Sequence, residues 1–108
     1  MSTNNDFKII YKILSMLEKA MDYEEFDSGN IYKTMQDEIS KERYNKILLM
    51  LYEEGYIKGK LIQTLDYTGL INFEITLKGL EYLKENSIMK KVANMLKGTT
   101  EIIGNIKP

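Results

Sequence analysis

Apolar residues open the chain at the three-to-four spacing of a helix that buries one face. Ile9, Ile10, Ile13, Leu14 and Leu17 share a stripe, and Lys8, Lys12 and Lys19 lie off it. The pattern predicts a first helix over about Phe7 to Met21, with Asp6 as its N-cap. The polar run "YEEFDSGN" then reads as a turn. Ile31, Met35 and Ile39, four apart, predict a short second helix across "IYKTMQDE". Ser40 is placed to cap a third helix, "KERYNKILLMLYEE", whose inward side is Tyr44, Ile47, Leu48 and Leu51 and which stops at Gly55 in the C′ position.

Beyond Gly55 the period changes from 3.6 to 2. In "INFEIT", Ile71, Phe73 and Ile75 alternate with Asn72, Glu74 and Thr76, the signature of a half-buried strand. "YIKGKLI" can pair with it, Ile57 and Leu61 flanking Gly59 on one face and Lys58 and Lys60 pointing the other way. "QTLDYTGL" supplies Asp66 and Gly69 for the turn. Three helices followed by a hairpin is the order of a winged helix, an α+β fold with a helix-turn-helix core and a β-hairpin wing.

After the hairpin, Leu77, Leu80 and Leu83 repeat at helical spacing with Gly79 among them. Glycine inside a helix costs roughly 1 kcal/mol relative to alanine, so a close approach to the sheet is expected there, with Thr76 as the cap. The last segment carries the cleanest stripe: Ile88, Val92, Met95, Leu96, Thr99, Ile102, Ile103 and Ile106, opposite Lys90, Asn94, Lys97, Glu101 and Asn105. Residues 1–86 are therefore expected to form the winged-helix domain. Residues 87–108 are expected to form an additional amphipathic helix, bent or frayed near Gly98, that packs on the domain or joins two copies.

Composition narrows the chemistry. A 44% apolar and 29% charged chain of 108 residues fits one soluble domain, and no apolar run nears the ~20 residues of a membrane span. The start has no secretory pattern, so a cytoplasmic location is expected. The chain has no cysteine and no histidine. That removes disulfides, thiolate chemistry, common zinc sites and the usual general base, so no enzyme activity, metal or cofactor is expected. The pairs Glu24-Glu25, Asp37-Glu38 and Glu53-Glu54 do not face each other on a helix and read as solvated charges. Gly55, Gly59, Gly69 and Gly79 are too dispersed for a phosphate loop.

"ISKERYNKILLMLYEEGYIKG" followed by "ITLKGLEYLKENSIMKK" resembles the YjcQ family, small winged-helix proteins of Gram-positive bacteria and their phages. The likeness runs from the first helix to about Lys91 and is most specific at Gly55-Tyr56-Ile57 and from Thr76 to Asn86. Threonine, then glycine three residues on, then leucine is also similar to winged-helix regulators of the MarR and PadR kinds. The resemblance implies the architecture and brings no catalytic residues. It departs at Gln36-Asp37-Glu38-Ile39, where such regulators often have a turn glycine and where this chain puts two acids beside the third helix.

If the third helix enters a major groove, its outward arc and flanks offer Lys41, Arg43, Asn45 and Lys46. Asn45 can read adenine, and Arg43 can read guanine or grip phosphate. Lys41, Lys46, Lys58 and Lys60 can hold phosphates. The expected partner is double-stranded DNA, and the expected role is that of a bacterial or phage regulator or accessory protein. A net charge of −1, fourteen lysines to one arginine, and Glu42 and Glu53 on the same arc weigh against base reading. The alternative is a winged helix serving as a protein-interaction module, with Leu49 and Met50 as contacts. In either case Ile88, Val92, Leu96 and Ile103 are the candidate dimer contacts, and no membrane role is expected because the segment lacks aromatic anchors.

Overall fold

Helix α1 spans Thr3–Ala20 in the computed structural model, which describes residues 3–87. The expected terminal helix, with Ile88, Val92, Leu96 and Ile103, lies outside the described residues. Ile9, Ile13, Leu14 and Leu17 are buried as their spacing requires. The helix starts before Asp6, so Asp6 sits in the first turn rather than at the N-cap, with its carboxylate engaged by Arg43.

The expected second α-helix is replaced by two 3₁₀ turns, Ser28–Asn30 and Tyr32–Thr34. Ile31, Met35 and Ile39 are nonetheless buried, so the apolar spacing reports burial without reporting the helix type. The backbone bonds run three residues back rather than four: Thr34 N donates to Ile31 O and Met35 N to Tyr32 O, each at 3.0 Å, and short polar side chains add to them. Asp27 Oδ1 accepts from Gly29 N at 2.9 Å, and Thr34 Oγ1 donates to Ile31 O at 2.7 Å.

Helix α2, Lys41–Glu53, begins at Ser40, whose Oγ accepts from Arg43 N at 3.2 Å. Its buried residues are Tyr44, Ile47, Leu48 and Leu51. The end is a Schellman motif: Gly55 has φ +85°, Gly55 N donates to Tyr52 O at 3.1 Å, and Tyr56 N donates to Leu51 O at 2.9 Å.

Strands β1, Ile57–Gln63, and β2, Thr68–Ile75, form a two-stranded antiparallel hairpin. Lys58 pairs with Glu74 and Lys60 with Ile71, so Asn72 and Phe73 together face Gly59 in a β-bulge. Asn72 adopts φ +51°, a conformation that asparagine tolerates better than most residues. The extra residue inverts the alternation beyond it. Phe73 and Ile75 are buried as expected, but Leu70 is buried in place of Ile71, which is 42% exposed. Phe73 N donates to the buried Ser28 Oγ at 3.2 Å, which fastens the bulge to the first 3₁₀ turn. The turn itself is Thr64–Tyr67, closed by Thr64 N donating to Tyr67 O at 2.7 Å. Gly69 is therefore a strand residue, lying under the ring of Tyr67, and not part of the turn as expected.

Helix α3, Leu77–Glu85, starts where β2 stops. Thr76 Oγ1 accepts from Gly79 N at 3.2 Å and donates to Gly55 O at 2.5 Å. Gly79 and Leu83 are buried, Leu80 is half-buried and Leu77 faces water. The result is an α+β fold in which buried residues of the helices, the 3₁₀ region and the hairpin form one core.

A Cβ on Gly79 would collide with the carbonyl oxygen of Tyr56 and come within 2.5 Å of Ile75 Cγ1. Overpacking of this kind costs about 1–3 kcal/mol, against a gain of about 1 kcal/mol in helix propensity. Because the collision is with a backbone oxygen, the cost falls in the upper part of that range, and Gly79→Ala is expected to lower urea-unfolding stability by about 1–2 kcal/mol. A variant as stable as the parent would show that α3 does not need this approach.

Candidate nucleic-acid interface

The outward side of α2 and the exposed side chains of β1 carry the basic residues singled out by sequence. Lys41 opens α2, and its Nζ lies 4.6 Å from the centroid of the Tyr32 ring and 5.8 Å from that of Tyr44. The two rings are themselves tilted against each other at 4.9 Å. This cation–π contact positions the ammonium without neutralising it. The Tyr44 hydroxyl is buried with no hydrogen-bond partner among the described residues, and burial pushes its pKa up, so it remains a neutral phenol.

Arg43 is committed elsewhere. Its Nε donates to Asp6 Oδ1 at 2.9 Å and its Nη2 to Oδ2 at 2.5 Å, the forked geometry that a guanine or phosphate would otherwise receive. The Arg43 hydrogen bonds hold the Asp6 carboxyl below the ordinary aspartate value, and Asp6 raises the pKa of Arg43 in return. A second pair bridges the same two regions: Lys12 Nζ donates to Glu38 Oε1 and Oε2 at 2.8 and 2.7 Å. One of the two acids beside α2 is thereby ion-paired, while Asp37 makes no ion pair among the described residues.

Lys46 is exposed and joins Gln36, Asp37, Ser40, Glu42 and Arg43 around a broad, shallow depression. Asn45 is half-buried. On β1, Lys58 and Lys60 are exposed, with Glu74 and Ile71 as their cross-strand neighbours. Lys46, Lys58 and Lys60 form no ion pair among the described residues. The structure thus gathers Lys41, Arg43 and Lys46 on one helix and sets Lys58 and Lys60 apart on the hairpin that follows it. Of the apolar candidates, Leu49 is half-buried and Met50 is 53% exposed.

Sequence reasoning missed both ion pairs. Their partners are 37 and 26 positions apart, and neither lies within the helical spacing that makes a charge pair legible. No helix among the described residues is long and apolar enough to cross a membrane. A family model described as YjcQ protein matches residues 11–102. No curated protein and no solved structure matches the chain.

Because the folded-state pKa of Asp6 is lowered, its pair with Arg43 stabilises the fold above the ordinary aspartate value. That contribution is lost as pH falls through the depressed value. Carboxyl NMR titration is expected to place the Asp6 midpoint below the ordinary value in the parent and to move it upward in Arg43→Ala. An identical midpoint in both proteins would mean that the pair does not form in solution.

Proposed function

The chain belongs to the YjcQ family, and we propose that it is a winged-helix DNA-binding protein, a cytoplasmic regulator or accessory factor of bacterial or phage type. In this reading α2 is the recognition helix, the region before it takes the place of the first half of a helix-turn-helix, and β1–β2 is the wing. The observation that carries the reading is that Lys46, Lys58 and Lys60 stand exposed, and without an ion pair among the described residues, on α2 and on the hairpin directly after it. Unpaired ammonium groups on a helix and its neighbouring wing suit phosphates on either side of a groove.

The engagement of Arg43 by Asp6 favours grip over base reading. The duplex is held chiefly through its backbone, and Asn45, half-buried on α2, is the remaining base-reading candidate. A homodimer paired through the apolar stripe of residues 88–106 would place two such surfaces on one duplex. A second reading, a winged helix that docks on another protein, is favoured by the exposure of Met50 on α2, with Leu49 beside it.

Fluorescence anisotropy of a labelled mixed-sequence duplex separates the two. Three phosphate contacts predict that log affinity falls by roughly 2.7 per log unit of salt, at about 0.9 per contact. Lys46→Glu combined with Lys58→Glu is expected to abolish binding, whereas Met50→Asp leaves it intact. No binding by the parent at low salt would refute the DNA reading and favour the protein-docking one.

A further inference from the structure

The loop after α1 exposes large apolar side chains where a turn usually has small polar ones. Met21 is 61%, Tyr23 68% and Phe26 43% exposed. They stand around a cavity of about 460 Å³ between this loop and the bulged part of the hairpin, with the buried side chains of Leu17 and Phe73 among its lining. That volume lies within the range of small-molecule sites, about 300–1,000 Å³.

The charge around the cavity is uneven. Glu24 and Glu74 line it, and neither carboxylate has an ion-pair or hydrogen-bond partner among the described residues. Lys58 is the single basic residue of the lining, so two carboxylates face one ammonium and the cavity is net negative. Tyr23 and Phe26 add aromatic faces, whose quadrupoles attract cations and repel anions.

We propose that this cavity binds a small organic cation with an apolar body, of the aryl- or alkylammonium class. The ammonium sits between Glu24 and Glu74 against the rings of Tyr23 and Phe26, and the apolar body lies on Leu17 and Phe73. An organic anion of the same size would meet both carboxylates and a single lysine. The assignment goes beyond the DNA reading; Lys58 belongs to both surfaces, but the cavity is tested on the protein alone and at Glu24 and Glu74, which the DNA reading does not use.

The test is a ¹⁵N–¹H NMR titration of the full chain with benzyltrimethylammonium chloride, with benzyl alcohol and sodium phenylacetate as neutral and anionic comparators. Saturable shifts confined to the cavity lining, within residues 17–26, 58 and 72–75, are expected with the cation, with affinity at least about tenfold weaker for both comparators. Glu24→Gln with Glu74→Gln, two exposed positions, is expected to keep a dispersed spectrum and weaken the cation by about tenfold or more. Absence of saturable shifts at those residues, equal binding of phenylacetate, or full cation affinity in the double variant would each overturn the proposal.

Discussion

The carbonyl group of Tyr56 lies against the bare Cα of Gly79, and the packing of α3 beside the end of α2 and the base of the hairpin depends on that contact. The same carbonyl accepts from Thr76 N at 3.1 Å, and the Thr76 hydroxyl links Gly55 O to Gly79 N. Lys78 reinforces the joint by donating to Glu54 O at 2.7 Å with its Nζ 4.8 Å from the centroid of the Tyr56 ring. Tyr56 meets Tyr82 edge to face at 5.4 Å. The carbonyls left open at the end of α2 are thus satisfied from the start of α3, and the hairpin is held between them. A side chain at position 79 would separate α3 from the strand it has just left.

This joint sets where the charges stand. A three-residue turn around Gly55 joins α2 to β1, so the lysines of the helix and of the hairpin lie on consecutive elements. The two ion pairs from α1 act on the other end of α2: Asp6 engages Arg43, and Lys12 engages Glu38. Exposed pairs of this kind add little stability, so their larger effect is on which charges remain for a partner. They engage one cation and one anion of the surface around Ser40, and among the described residues Lys46, Lys58 and Lys60 have no such partner. A chain whose net charge is −1 can still expose lysines that have no ion-pair partner among the described residues.

What was legible in the sequence was local. Ser40, Gly55, Thr76 and Gly79 announce caps, a helix end and a close approach by their own chemistry, and each does what its residue type suggests. The second helix was misread because the spacing of Ile31, Met35 and Ile39 is satisfied equally by a chain of 3₁₀ turns. Asp27 and Thr34 make hydrogen bonds at these turns that periodicity does not record. The face of Ile71 was misread because a single extra residue at Asn72 reverses a strand's inward and outward sides, and Gly59 and Asn72 mark the bulge only in hindsight. Of the candidate site, the exposed lysines were legible and the engagement of Arg43 was not, since Asp6 is distant in sequence and was expected at a helix cap.

The claim that α2 and the hairpin act together on a duplex is tested most directly by chemical-shift mapping of the ¹⁵N-labelled protein against a short mixed-sequence duplex at low salt. The account predicts that the amides of residues 41–46 and 58–60 shift together, at one common affinity. Shifts confined to the segment around Met50, or no shift in either segment, would contradict it.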